Sequence, residues 1–224
     1  MHRMMSLLIS VPKTLIANIK VFGIRKGIMM PIFVSYRVKL KGLKRDSWII
    51  DENTKFASIR LGVTDGSFGH GRGCKSSLIM SPESRIYFGR GINIANNFSI
   101  NLGRNATIVL GESFNSNFNL ILSCSTKITF GKECLLGWNC TFIDSDGHEI
   151  WSQESVEKNN PKNEIHIGDH VWVASNATCL KGTNICDNSV IGTMSVVSNR
   201  FEEDGVIVAG VPAHIVKRNI YWKR

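Results

Sequence analysis

The feature that most constrains this chain is a period of six. Stepping from Ile167 by six residues reaches Val173, Cys179, Ile185, Ile191 and Val197, all apolar. In a chain that is 43% hydrophobic, one fixed phase does this by chance with a probability of about 0.006. Four places after each member stands a mostly small residue: Val171, Ala177, Thr183, Ser189 and Ser195. The same phase runs upstream through Phe130, Leu136 and Phe142, with Cys134 and Cys140 four places on. It continues more weakly through Phe88, Ile94, Ile100 and through Leu110, Ser116, Leu122. A helix would repeat at about 3.6 or 7 residues and a two-sided strand at about 2. Short strands separated by turns fit instead. Three such sides close one coil, and stacked coils pair as parallel strands about 4.8 Å apart. No coil can bury its inward residues alone, so the stack forms one continuous core. The expected fold class is all-β, a parallel β-helix.

The charge is placed unevenly. The net charge is +9, yet residues 1–45 carry ten cations (Arg3, Lys13, Lys20, Arg25, Lys26, Arg37, Lys39, Lys41, Lys44, Arg45) and no acid. The remainder holds 17 Lys or Arg against 18 Asp or Glu and is close to neutral. A basic segment on a neutral body argues against a chain coated for nucleic acid. No helix-turn-helix, zinc-finger or aromatic RNP pattern is present, so no nucleic-acid partner is expected. Six cysteines without a C-x-x-C pair suit a reducing, cytoplasmic setting better than a disulfide framework. Cys134, Cys140 and Cys179 fall at inward positions, where a thiol packs as a small hydrophobe.

Within the basic segment, Leu8, Val11, Leu15, Ile19 and Phe22 recur at spacings of three and four and predict an amphipathic helix. Ser10 suits a cap, Pro12 a first turn and Gly23 a stop. Pro12, Lys13, Asn18 and Lys20 interrupt the apolar run, so a spanning helix is not expected, and no cleavage site of a secretory signal follows. The apolar stripe either packs on the first coil or lies on an anionic membrane surface, at the inner face of the membrane. The expected organisation is a basic helical cap over residues 1–50, a β-helix over 51–217 with an inserted loop at 143–164, and a tail at 218–224.

That inserted loop interrupts the repeat between Phe142 and Ile167. Loops carried on a rigid coil frame commonly hold function. Its densest chemistry is Asp144-Ser145-Asp146-Gly147-His148. Neutral imidazole is well matched to taking up a proton near neutrality, as a general base must. His148 is the candidate base. Asp146 and Asp144 are the candidates to fix its tautomer, with Glu149 a third carboxylate placed to bind substrate.

Residues 167–197 resemble the hexapeptide repeat of left-handed parallel β-helix acyltransferases. The tail Ala209-Gly210-Val211-Pro212-Ala213-His214-Ile215-Val216-Lys217 resembles that family's closing motif. The stretch from Ile128-Thr129-Phe130-Gly131 through Asp144 to Ile150 is similar to the active-site region of its sugar O-acetyltransferase branch, which includes galactoside and maltose acetyltransferases and enzymes that decorate bacterial surface polysaccharides. The resemblance covers residues 84–217. It implies an O-acetyltransferase that uses acetyl-coenzyme A and a saccharide hydroxyl, assembled as a homotrimer. It further implies that Asn117 contacts the acceptor or polarises the thioester. On the same grounds Trp172, Ser175, Thr193, Ser198 and Asn199 contact coenzyme A, with His214 and Lys217 at its phosphate end. Three positions depart from the family pattern: Asn199 stands in place of Lys, His214 in place of a more strongly basic residue, and Met194 in place of Gly. Lys181, Arg200 or Arg218 are the alternative phosphate contacts.

N-acylation of an amino sugar or nucleotide sugar is the alternative activity. His166 and His170 lie close to His148 in sequence, but no third ligand has suitable spacing, so no metal is expected. His166 stands between two inward isoleucines and should point outward. The glycines at 62, 66, 69, 71 and 73 suggest a bend into the first coils. A phosphate loop is excluded because Cys74 occupies the second glycine that pattern requires.

Overall fold

The computed structural model describes residues 2–65, 73–153 and 160–223; Gly66, Gly69 and Gly71 lie outside them. The chain winds through seven three-sided coils. The first is β1 (Ile32–Val34), β2 (Val38–Lys41) and β3 (Trp48–Ile50), and the second is β4 (Ile59–Leu61), β5 (Ser76–Met80) and β6 (Arg85–Phe88). The third is β7 (Ile92–Ile94), β8 (Ser99–Leu102) and β9 (Thr107–Leu110). The fourth is β10 (Asn115–Ser116), β11 (Ile121–Cys124) and β12 (Lys127–Phe130). The fifth is β13 (Leu135–Leu136), β14 (Thr141–Ile143) and β15 (Ile165–Ile167). The sixth is β16 (Trp172–Val173), β17 (Thr178–Leu180) and β18 (Asn184–Ile185). The seventh is β19 (Val190–Ile191), β20 (Val196–Val197) and β21 (Arg200–Phe201). β22 (Ile207–Gly210) then begins an eighth turn, and β23 (Ala213–Lys217) folds back on it antiparallel. First strands stack as face A, second strands as face B and third strands as face C. Every pairing between coils is parallel.

The period of six is one side of a coil. Val173 pairs with Ile191, Cys179 with Val197 and Ile167 with Ile185, eighteen residues apart in each case. All six are fully buried, as are the small residues Val171, Ala177, Thr183, Ser189 and Ser195. Upstream the phase weakens because the coils are longer: Ile100 pairs with Leu122 and Leu122 with Phe142, steps of 22 and 20. Strands β6, β8, β9, β11 and β12 have four residues and bury two each, as Ile108 and Leu110 in β9. The rings of Phe114, Phe130 and Phe142 stack edge to face along the axis at 5.0 and 4.8 Å.

Corners repeat as well. Asn97, Asn119, Asn139, Asn176 and Met194 all have left-handed backbones at successive A–B corners. The amide of Asn97 donates to Asn119, Asn119 to Asn139 and Asn139 to Asn176, at 3.2, 2.9 and 2.9 Å. Met194 (φ 59°) ends that ladder with a side chain that cannot accept the next bond. At the C–A corner, Asp169, Asp187 and Asp204 each accept the backbone amide of the coil before, at 2.7, 2.7 and 3.1 Å.

The repeat begins earlier than residue 51. Ile32, Val34, Val38 and Trp48 already line the core, so the expected boundary falls after the first coil and leaves that coil out of the β-helix. That coil is irregular in spacing and shows no hexad in the sequence.

The helix α1 (His2–Gly27) also differs from expectation. It starts well before Ser10, carries Pro12 in its interior and breaks at Gly23 (φ 77°, ψ 175°). Its fully buried stripe is Ser10, Thr14, Ala17, Asn18 and Val21; of the expected apolar stripe Phe22 packs against the core, whereas Leu8 is 65% exposed. Ser10 is no cap, because its hydroxyl donates to the Ser6 carbonyl and accepts the Tyr36 amide. Thr14 Oγ1 both accepts the Val34 amide and donates to the Val34 carbonyl, each at 3.0 Å. Asn18 does the same for Ile32, its Nδ2 donating at 2.7 Å and its Oδ1 accepting at 3.3 Å. The two elements run antiparallel in commensurate steps: four helix residues rise about 6 Å and two strand residues about 6.6 Å. Met4–Gly27 is long and apolar enough to cross a membrane, contrary to the sequence expectation, yet its polar face is bonded along β1.

Two stability predictions follow from these contacts. Thr14→Val keeps the shape but orphans the Val34 amide and carbonyl, and should lower unfolding free energy by about 1–3 kcal/mol in urea titration; an unchanged midpoint would refute the capping role. Met194→Asn relieves a left-handed backbone and can accept the Asn176 amide, and should raise stability by about 1 kcal/mol.

The inward thiols supply a third. Burial pushes the Cys134 and Cys140 thiols up to about 12, and it also raises those of Cys124 and Cys179. In a thiol-reagent time course Cys74 and Cys186, which are only partly buried, should react first. The other four should react only on unfolding.

Candidate active site

The loop at the B–C corner of the fifth coil is fastened at its stem. Asp144, fully buried, accepts the Ser125 amide on Oδ1 at 2.6 Å and the Thr126 amide on Oδ2 at 2.7 Å. Its carbonyl accepts the Asn163 amide at 3.2 Å, which ties the two stems together. Ser145 Oγ meets Ser125 Oγ at 3.0 Å. The carboxylate expected to steady an imidazole therefore holds the corner of the fourth coil instead, and sequence spacing cannot separate those two uses of an aspartate. Asp144 is a structural residue.

Asp146 is the second anchor. Its Oδ2 accepts from Lys181 Nζ at 2.6 Å and from Asn160 Nδ2 at 2.7 Å. The lysine first, and the amide next, hold its carboxyl below the usual carboxylate range. Asn160 also donates to the His148 carbonyl and accepts the Ile150 amide, each at 2.8 Å. One side chain thus fixes the backbone on both sides of Glu149. His148 and Glu149 are carried exposed on this braced turn, beside the exposed Ile150 and Trp151.

The other expected contacts fall on a different edge. Asn117, Ser175 and Thr193 lie at A–B corners of the fourth, sixth and seventh coils, and Trp172, 39% exposed, projects from face A. His214 and Lys217 sit on β23 at the end of that face. Asn117 Oδ1 accepts the Phe118 amide at 2.9 Å, and Ser175 Oγ accepts the Trp138 amide at 3.2 Å. Ser198 and Asn199, by contrast, follow β20 at the B–C corner, on the same edge as the loop. Within one chain, face B separates the His148 edge from the Asn117 and Trp172 edge.

The alternative phosphate contacts are engaged elsewhere. Lys181 holds Asp146, Arg218 makes two bonds to Glu203 at 2.7 and 3.1 Å, and Arg200 lies 3.8 Å from Glu202. His166 points outward as expected, between buried Ile165 and Ile167.

Sequence reasoning missed two residues. Asn160 carries no periodic signal, since its role depends on a loop conformation. Trp222, in the tail, donates to the His170 carbonyl at 3.0 Å, stacks on the His170 ring at 4.1 Å and lies 6.2 Å from the Trp172 ring. The aromatic pair Tyr221-Trp222 was its available signal.

No protein-family model matches the chain. The galactoside O-acetyltransferase of Escherichia coli (strain K12) is 32% identical over 137 residues, 60% of this chain and 59% of that protein. WbbJ of the same strain, which bears the name putative lipopolysaccharide biosynthesis O-acetyl transferase, is 30% identical over 148 residues, 56% of this chain and 74% of WbbJ. The chain belongs to the hexapeptide-repeat acyltransferases, in the sugar O-acetyltransferase branch. Its coils are accordingly those of a left-handed β-helix. Among solved structures, the Bacillus cereus N-acyltransferase AntD, with dTDP and coenzyme A bound, superposes with a TM-score of 0.50 at 12% identity, over 84% of this chain and 81% of AntD. That likeness concerns the fold. The hexapeptide-repeat match spans 59% of the galactoside enzyme and half of the Neisseria meningitidis polysialic acid O-acetyltransferase.

The anchors make a test of the loop. Lys181→Met and Asn160→Ala should each speed chymotryptic cleavage at the exposed Trp151 while leaving the unfolding midpoint within a degree or so. Because the Asp146 pKa is depressed on folding, its contribution is present above the unfolded value of about 3.9 and is lost as pH falls through the folded one. The NMR shifts of the Asn160 side-chain amide should therefore hold down to about pH 5 and change below about pH 4, as Asp146 gains its proton.

Proposed function

We propose that this protein transfers an acetyl group from acetyl-coenzyme A to a hydroxyl of a saccharide, a bacterial surface polysaccharide or its precursor, with His148 as the general base. The observation that carries the reading is an exposed histidine on a loop braced by Asp144, Asp146 and Asn160, in a chain of this family. Acetyl-coenzyme A supplies the acyl group as a thioester. His148 takes the acceptor hydroxyl proton as that oxygen bonds to the acyl carbon, and returns it to the departing thiolate sulfur, so no net proton is released. The Lys181–Asp146–Asn160 cluster positions His148 through its backbone rather than through its ring. Glu149 and Asn117 contact the acceptor in this reading.

The residues on face A and the A–B edge suit coenzyme A. Trp172 offers an exposed ring, Ser175 and Thr193 stand on one edge beside it, and His214 and Lys217 lie at the far end of the same face. Ser198 and Asn199 belong to the other edge. A cyclic trimer reconciles the two, since it can set the A–B edge of one protomer against the B–C edge of the next. In that ring Ser198 and Asn199 of one subunit face the cofactor held by its neighbour. The compartment in this reading is the cytoplasm, which keeps the core thiols reduced.

The first test is acetyl transfer from acetyl-coenzyme A across saccharides and amino sugars with the unsubstituted protein and His148→Ala. Transfer to hydroxyls, reduced about 10²–10⁴-fold by the substitution, is the expected result. Near-normal turnover of His148→Ala would remove the base, and acetylation confined to amino groups would favour N-acylation. Light scattering should give three times the 25.0 kDa chain; an active monomer would exclude the shared site.

A further inference from the structure

The helix α1 is mounted with its polar face inward. Ser10, Thr14 and Asn18 are bonded to the β1 edge, and at about 100° per residue the opposite face is Met5, Ile9, Pro12 and Ile16. Ile16 is 67% exposed, and Met4 and Leu8 extend the same surface. Among the described residues no element of the chain covers this ridge. An ordinary surface helix would have rotated to bury it. Rotation is blocked here, because the edge strand needs the amide and hydroxyl groups that only the polar stripe can supply.

The surroundings of the ridge say what covers it. Residues 1–45 carry no acid. Lys13 and Lys20 border a groove of about 500 Å³ that runs between the helix and the end of β2, with Ile9, Ile16, Leu40 and Leu43 as its apolar wall. Lys13 spends its ammonium on the Tyr36 and Val38 carbonyls at 2.8 and 2.6 Å, whereas Lys20, Arg25 and Lys39 are exposed. A second copy laid on this ridge would set cations against cations. A bilayer with anionic headgroups offers the two complementary features together, acyl chains for the ridge and phosphates for its rim.

We propose that α1 is an in-plane anchor for an anionic membrane surface, with Leu8, Ile9 and Ile16 in the acyl boundary and the basic rim at the headgroups. The attachment is peripheral, because a spanning pose would break the Thr14 and Asn18 bonds to β1. The inference stands on the helix alone and does not depend on the acetyltransferase reading.

The test is flotation of the full-length protein with phosphatidylcholine vesicles and with vesicles that also contain phosphatidylglycerol, at low and high salt. Co-flotation should require the anionic lipid, fall at high salt and be released by alkaline carbonate. Leu8→Asp combined with Ile16→Asp should reduce the bound fraction at least tenfold, with the unfolding midpoint and acetyl transfer to a soluble saccharide unchanged. Failure to float with anionic vesicles would overturn the proposal, as would equal binding to neutral ones or retention after carbonate. So would a lipid-free change of mass in the double variant by light scattering, which would assign the ridge to a second copy. Loss of acetyl transfer with intact flotation would strike the catalytic reading and leave this one in place.

Discussion

Every strand of a coil stack needs hydrogen-bond partners in the coil above and the coil below, and that single requirement shapes the rest of the molecule. Interior coils meet it automatically. The two end coils cannot, and an unpaired parallel edge is both costly and prone to pairing with other chains. At the C-terminal end β23 reverses and pairs with β22. At the N-terminal end three side chains stand in for a missing strand, at helix intervals of four against strand intervals of two. The helix that does this has committed Ser10, Thr14 and Asn18 to backbone, and the opposite apolar ridge from Met5 to Ile16 must then point away from the protein. The charge of the first 45 residues and the apolar ridge are thus two sides of one solution to the edge problem.

The loop that carries His148 depends on the same frame. It leaves at a corner, where a coil can be interrupted without breaking the ladder, and it is fastened to the coils on both sides: Asp144 to the amides of Ser125 and Thr126 in the fourth, Asp146 to Lys181 in the sixth. The distance between successive coils, about 4.8 Å, sets the reach of these anchors, so His148 is presented on an arm braced above and below. Two carboxylates in the motif therefore serve geometry. In the proposed reading the chemistry falls to the His148 imidazole that follows them and to whatever the neighbouring edge contributes.

Much of this was legible in the sequence because the inward positions face the same environment coil after coil. Val173, Cys179, Ile185, Ile191 and Val197 repeat for a packing reason, and packing is what periodicity records. The helix was misread for the converse reason. The stripe of Leu8, Val11, Leu15, Ile19 and Phe22 signals burial only when the surface beneath is apolar, and here the surface beneath α1 is the polar edge of β1. The first coil escaped because its corners vary in length. Asp144 escaped because an aspartate in a turn reads the same whether it accepts backbone amides or supports an imidazole. Asn160 and Trp222 act across long separations, and no local pattern announces such contacts.

The register of the stack is written three times over, which explains how one corner can be interrupted by a long loop. The core fixes it through Phe114, Phe130 and Phe142, whose rings interlock along the axis. The A–B corner fixes it through the asparagine ladder, and the C–A corner through Asp169, Asp187 and Asp204, whose carboxylates offset their mutual repulsion by accepting an amide each. A slip of one residue would turn the core outward and break both ladders at once. The B–C corner carries no comparable ladder among the described residues, and it is there that the chain inserts its loop. Redundancy at two corners thus frees the third, which can trade regularity for the exposed histidine and its anchors.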